Sequence, residues 1–246
     1  MERDAVSNIR LLPQALPAQN LPTQVQNVLF DAILTGMLAP GERLLVDEIA
    51  EHFGISKIPV REALKALEVS GWVQSLPRRG TYVTPLTWTE LRQAFEMRRV
   101  IEPYIARRAA ERRSEAHLVE LEQLVLDGME AIRRGDIVAT TAINSRFHSV
   151  IAQTVDNTML GDTVRDLEFR LRRYFVAVEW QQRRESISQH QAIFEAIRDR
   201  DAARAERLTL EHLDHTESLA HESVARHLEP ADAASSEFSL NQAPNP

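Results

Sequence analysis

The chain of 246 residues contains no cysteine, so neither a disulfide framework nor thiolate chemistry is available to it. Glycine is scarce, at 8 residues, and no Gly-rich phosphate loop, G-x-S-x-G elbow or HExxH pair appears. No run approaches the roughly 18 apolar residues of a membrane span. The N-terminus lacks a basic start followed by an apolar core, so nothing marks the chain for export and the cytoplasm is the expected location. Cations are also in deficit: 29 Lys and Arg face 36 Asp and Glu, a formal charge of -7, and bulk electrostatics therefore argues mildly against a nucleic-acid partner. What the chain does have is 43% hydrophobic residues, enough for two domains with separate cores. The expected organisation is an arm over 1–20 and a tail over 230–246, both disordered, flanking domains at 21–85 and 88–228. The arm carries Pro13, Pro17 and several Gln and Asn; the tail is polar and without periodicity.

The segment Gly41 to Pro85 carries the strongest pattern. Val46, Ile49, Ala50 and Phe53 fall at helical spacing, and Gly54 supplies the residue type that ends a helix in a tight turn. Ser56 is a good N-cap, and Pro59 is tolerated only in a first turn, so a second helix begins near Ile58 and runs to Ser70, before Gly71. Two helices joined by a short Gly-containing turn have helix-turn-helix spacing. Trp72 to Leu76 and Thr81 to Thr84, around Pro77-Arg78-Arg79-Gly80, then read as a hairpin with two arginines at its tip.

Between Leu21 and Leu86 six cations (Arg43, Lys57, Arg61, Lys65, Arg78, Arg79) meet seven acids (Asp31, Glu42, Asp47, Glu48, Glu51, Glu62, Glu68). The domain is not basic, but five of the six cations gather on the second helix and the hairpin. Lys57, Arg61 and Lys65 lie at i, i+4 and i+8, beside an apolar stripe of Val60, Ala63, Leu64 and Leu67. A solvated helix face is the bland alternative; stripe, turn and wing together favour DNA contact by Ser56, Lys57, Arg61, Lys65, Arg78, Arg79 and Gly80.

From Trp88 to Leu228 there are three glycines and one proline, Pro103, and no segment alternates at period two. Six helices are expected at about Thr89 to Arg112, Ser114 to Arg134, Asp136 to Val155, Asp156 to Trp180, Ser186 to Arg200 and Asp201 to His227. Short connections favour an antiparallel bundle. The fold class is thus mainly α, a winged helix-turn-helix followed by an all-α six-helix bundle.

Histidines stand out in this bundle. Asn144, Phe147, His148 and Ile151 share one helix face; His190, Ile193, Phe194 and Ile197 share another; Leu208, His212, His215 and Leu219 share a third. A lone His on an apolar face is more often a satisfied core residue than a ligand. Three inward helices, each bringing an imidazole, are the alternative: a divalent metal held by Asn144, His148, His190 and His212. One amide oxygen and three nitrogens suit Zn, Ni, Fe or Mn rather than Ca or Mg. His117, His221 and His227 sit in charged surroundings as surface residues, and His52 lies on the first helix of the DNA-binding motif.

The run SKIPVREALKALEVSGWV followed by PRRGTYV resembles the signature of the GntR superfamily of winged-helix bacterial transcription factors. Two departures are Ile58, where Thr is usual, and Asp47, where many relatives have Arg. The run FEMRRVIEPYIARRAAER, Asn144-x-x-Phe147-His148, Asn157, Gln189-His190-x-x-Ile193-x-x-Ala196-Ile197 and Ala205 to His212 resemble the FCD ligand-binding domain of the FadR subfamily, and six helices suggest its VanR-type branch. The resemblance implies operator contacts at Ser56, Lys57, Arg61 and the wing tip. It also implies metal ligands at Asn144, His148, His190 and His212, and an effector-anchoring arginine at Arg98. Asn144 stands where Asp is common, which keeps the oxygen but removes a charge.

The expectation is a homodimeric regulator, most simply a repressor, that binds double-stranded operator DNA and responds to a small organic acid at the metal. The competing class is a metal-dependent enzyme acting on a small organic acid with an appended DNA-binding domain; the missing enzyme motifs and the absence of any carboxylate spaced as a general base weigh against it, and no catalytic residue is assigned.

Overall fold

The computed structural model describes residues 8–13, 20–175 and 180–228. The chain divides into two compact units between Pro85 and Leu86. No helix among the described residues is long and apolar enough to cross a membrane.

In the first unit, α1 (Leu21–Leu34) precedes a two-residue strand β1 (Arg43–Leu44), α2 (Val46–Phe53), α3 (Lys57–Val69) and a hairpin of β2 (Val73–Leu76) and β3 (Gly80–Val83). The three strands form an antiparallel sheet in the order β1-β3-β2, with Arg43 opposite Tyr82 and Gln74 opposite Tyr82 on the other side. The α2–α3 turn follows from Gly54, whose left-handed φ of 63° suits glycine far better than a residue with a Cβ. The stripe expected to face inward does so: Val60, Ala63, Leu64 and Leu67 are buried with Ile49, Leu29, Val25 and Trp72. Each large apolar side chain so buried contributes roughly 1.5–3 kcal/mol, and Phe30 meets the Trp72 ring edge-on at 4.5 Å between centroids.

The arm is more structured than its composition suggests. Asn8–Leu11 form a 3-10 turn, and Ile9 and Leu12 are buried. His52 holds this turn to α2 through its Nε2, 3.0 Å from the Leu12 carbonyl oxygen. The rest of the arm, and the tail from Glu229 on, lie outside the described residues.

The second unit contains, among the described residues, α4 (Trp88–Arg112), α5 (Glu115–Arg134), α6 (Ile137–Gln153), α7 (Thr158–Leu171), α8 (Trp180–Arg198) and α9 (Ala202–Leu228). Five helix starts are set by side chains: Thr87, Ser114, Asp136, Asn157 and Asp201 each accept a hydrogen bond from the backbone N–H three residues on, which satisfies an otherwise orphaned donor. His117, expected simply at the surface, completes the cap at Ser114 by accepting from its backbone N–H at 3.3 Å. One boundary differs from expectation. The fourth helix ends at Leu171 and tightens into a 3-10 turn over Arg172–Phe175, and the fifth begins at Trp180 instead of Ser186. Helix-forming residues fill this stretch, with neither Gly nor Pro to punctuate it, so local propensity carries no stop signal there.

The bundle core is made by Ile105, Leu121, Phe147, Val150, Ile193, Ile197 and their neighbours, with a second cluster around Phe95, Leu171, Tyr174 and Leu213. α4 packs mainly along α9, α5 against α6 and α8, and α6 against α7. The polar centre lies where these helices meet.

Candidate nucleic-acid interface and buried histidine centre

Ser56, Lys57, Arg61 and Lys65 are all exposed on α3 or its cap, and Arg78, Arg79 and Gly80 are exposed at the hairpin turn. Ser56 has the extended backbone of an N-cap but its side chain makes no capping bond. Lys57 is paired with Asp47 of α2 at 2.9 Å, a surface ion pair of small worth that phosphate can displace. The turn is fixed by Arg78 at φ 63° and Gly80 at φ 106°, with the Arg79 N–H donating to the Leu76 carbonyl at 3.0 Å. The structure adds a cation that the sequence reading left apart. Arg43 on β1 brings its guanidinium against Gly80, where a Cβ would meet its Nε at 3.3 Å. Only the pairing of β1 with β3 puts it there, and no local pattern announces that pairing.

In the second unit, five helices bring polar groups to one buried place. His148 (α6), His190 (α8) and His212 (α9) are all buried, and one nitrogen from each lies within 4.8 Å of the others. The Nε2 atoms of His190 and His212 are 3.3 Å apart. Phe147 stacks on His190 at 4.4 Å and so fixes its ring plane. His212 Nδ1 lies 2.9 Å from Gln189 Oε1; the amide oxygen accepts, which assigns the Nδ1–H tautomer and frees the Nε2 lone pair. His148 Nδ1 lies 3.2 Å from Glu102 Oε2, while its Nε2 is buried with no hydrogen-bond partner. Burial, then the neighbouring imidazoles and Arg98, push His190 and His212 well below the ordinary histidine range. Both are neutral at pH 7, the state that can ligate a metal.

Beside the histidines sits a buried ion cluster. Arg98 on α4 is only 2% exposed. Its Nε donates to Glu102 Oε1 at 2.5 Å, and it pairs with Glu168 Oε1 of α7 at 2.6 Å. Burial opposes the charge on Arg98, but the two glutamates outweigh it and raise its pKa. Burial likewise pushes the Glu102 carboxyl up, yet Arg98 and then His148 hold it down at about 2. Asn144, expected among the ligands, donates its amide nitrogen to Glu168 Oε2 at 3.1 Å, which leaves its oxygen as the atom able to face a cation. His215, placed by periodicity on the same face as His212, is instead half-buried, 3.9 Å from Glu185. His221 is exposed beside Trp88, and the His227 side chain lies outside the described residues.

A cavity of about 50 Å³ opens against this cluster, lined by Arg98, Asn144, Glu168 and His212 together with Thr140, Arg172 and others. Glu102, Glu168 and Arg172 were not singled out from the sequence, and Gln189 only as the neighbour of His190 in a motif, without a role. Glu102 was legible as the i+4 partner of Arg98; Glu168 and Arg172 reach the site through the packing of α7.

Comparison with known proteins places these two constellations in a family. Residues 21–83 match the family described as bacterial regulatory proteins, gntR family, and residues 93–215 match the FCD domain. The HTH-type transcriptional repressor RspR of Escherichia coli K12 is 31% identical over 202 residues, covering 81% of this chain and 89% of RspR. The chain belongs to the GntR family. Among its relatives, the HTH-type transcriptional regulator YdhC of Bacillus subtilis is 28% identical over 78% of this chain and 87% of its own length. The solved structure of E. coli McbR/YncC has the same fold, with a TM-score of 0.67 at 24% identity, covering 82% of this chain and 97% of that one. This GntR-family chain is a DNA-binding transcriptional regulator, of a family of regulators and not of enzymes.

Proposed function

We propose that this GntR-family protein is a homodimeric repressor whose grip on a pseudo-palindromic operator is tuned by a small organic acid bound beside a divalent metal in the FCD unit. The supporting observation is the convergence of three buried imidazoles from three helices, with His148 Nε2 lacking any partner and two Nε2 atoms facing each other across 3.3 Å. A buried polar nitrogen without a partner is costly, and a borderline-soft cation satisfies all three at once. The donor set fits Zn, Ni, Fe or Mn. His148, His190 and His212 would hold the ion with the Asn144 oxygen, while Glu102 and Gln189 orient the rings from behind. A bound ion supplies a positive centre for a ligand carboxylate, supported by the guanidinium groups lining the cavity, Arg98 among them.

On the DNA side, α3 enters the major groove, Arg61 and Lys57 reach base edges or phosphates, and Arg78, Arg79 and Arg43 meet the backbone through the wing. Twofold symmetry of the dimer is mirrored in the operator. The ligand need only favour one conformation by about 1–3 kcal/mol to switch binding. The test is to select duplexes from a random pool with the metal-loaded protein, then titrate the selected site in the presence and absence of chelator and of short organic acids. Selection of a half-site repeat, with affinity that changes when metal or acid is removed, supports the reading. An unrepeated site, or affinity indifferent to both, contradicts it.

A further inference from the structure

One apolar residue on the helix that faces DNA has no part in the fold. Ile58, in the first turn of α3, is 66% exposed. A β-branched side chain is a mediocre helix former, and one left mostly in water adds little to a core. Neither helix formation nor burial accounts for it.

Its direction is fixed by the helix period. At about 100° per residue, the buried stripe of Val60, Ala63, Leu64 and Leu67 centres on a direction that Ile58 opposes to within about 10°. Lys65 lies about 20° from Ile58 and Arg61 about 60°, both on one side, while Glu62 lies about 40° to the other. Ile58 thus occupies the outermost line of α3, between cations that suit phosphate and an acid that does not. The first turn contains no acidic residue, so the positive end of the helix can approach the DNA backbone.

Placement along the helix completes the case. A recognition helix presents its N-terminal residues to base edges, and Ile58 is the second residue of α3. Val69 is also outward and is 80% exposed, but it is the last residue of the helix, about 16 Å farther along the axis. Isoleucine has neither donor nor acceptor, so it cannot read a base through hydrogen bonds. Against a phosphate it would displace water and put nothing in its place. The apolar feature of the major groove is the 5-methyl group of thymine.

We infer that Ile58 is a specificity-determining residue that reads a thymine methyl in each operator half-site. This rests on the reading that α3 enters the major groove, and it adds which residue demands which base.

The experiment uses a labelled duplex selected from a random pool by the full-length protein, titrated by fluorescence anisotropy. Each thymine on either strand is replaced in turn by uracil, which removes the methyl and leaves every hydrogen-bonding atom in place. At one position in each half-site the uracil should weaken wild-type binding by about fourfold, the worth of one buried methyl. Ile58→Ala should bind the thymine duplex more weakly by at least that factor and should lose nothing further to uracil at that position. Val69→Ala, which removes an exposed apolar side chain at the other end of α3, should match the wild type on every duplex. A wild type that needs Arg61 yet ignores every uracil, or an Ile58→Ala protein as sensitive to uracil as the wild type, would overturn the inference while leaving α3 in the groove. Binding indifferent both to Arg61→Ala and to every uracil would overturn both readings.

Discussion

Replacing Arg98 with Met removes the cation that joins Glu102 to Glu168 and tests whether the buried ion cluster holds the second unit together. Methionine fills similar volume without a donor, so the change is chiefly electrostatic. In the wild type Arg98 and His148 overcome burial and hold Glu102 at about 2, against an ordinary value of 4.5. At about 1.36 kcal/mol per pH unit this amounts to about 3 kcal/mol, in line with the roughly 3–5 kcal/mol for breaking a buried pair. Because the folded-state value is depressed, this stabilisation is fully present above about pH 4.5 and is lost as pH falls toward 2. In Arg98→Met burial acts on Glu102 with only His148 opposing it, so the folded-state value rises and the variant loses stability as pH increases. The deficit should therefore be large at pH 7 to 8 and shrink toward pH 4.5. Urea melts followed by helix circular dichroism at several pH values measure it, and thermal melts at pH 7 should fall by about 6–12 °C. A deficit below about 1 kcal/mol, or one that does not change with pH, would refute the reasoning.

Three further outcomes are expected. Arg61→Ala should weaken operator binding by about 1–3 kcal/mol if the guanidinium reads a base, whereas Arg79→Ala should lower affinity evenly across sequences and flatten its salt dependence; gel-shift titrations in which both variants match wild type would contradict the assigned surface. The metal-free protein should lose stability as pH falls below about 6.5, because His190 and His212 have depressed values and protonate more readily when unfolded. The slope should approach about 1.4 kcal/mol per pH unit for each, and urea midpoints unchanged between pH 7 and 5 would count against it. Asn144→Asp should tighten metal binding by restoring a charged oxygen, which competition with a chromogenic chelator reads directly; weaker binding would mean that Asn144 does not face the ion.

The sequence disclosed what local rules control. Val46–Phe53 came out with its observed bounds because apolar spacing and Gly54 both act within one turn, and the hairpin was legible from Pro77 to Gly80. The histidines were legible as inward-facing residues, since His148, His190 and His212 each sit on a 3.6-residue stripe. Their convergence was not, because it depends on how α6, α8 and α9 cross. Glu168 lies in a helix, and Arg172 in the turn just after it, whose boundary carries no Gly, Pro or cap signal, so neither the stop at Leu171 nor the approach to Arg98 could be read locally. His215 failed for the opposite reason. One stripe spans more than 100° of arc, and packing decides which of its residues reaches the centre. Arg43 likewise needed the sheet order β1-β3-β2.

The measurement that bears most directly on the proposed metal centre is the divalent metal content of the purified protein, stripped by chelation and reloaded, in wild type and in His148→Ala and His190→Ala. One transition-metal ion per chain in the wild type, absent from both variants, with a melting temperature that rises on reloading only in the wild type, is the result expected. A wild type that retains no ion, or alanine variants that retain it, would make His148, His190 and His212 a hydrogen-bonded core and nothing more.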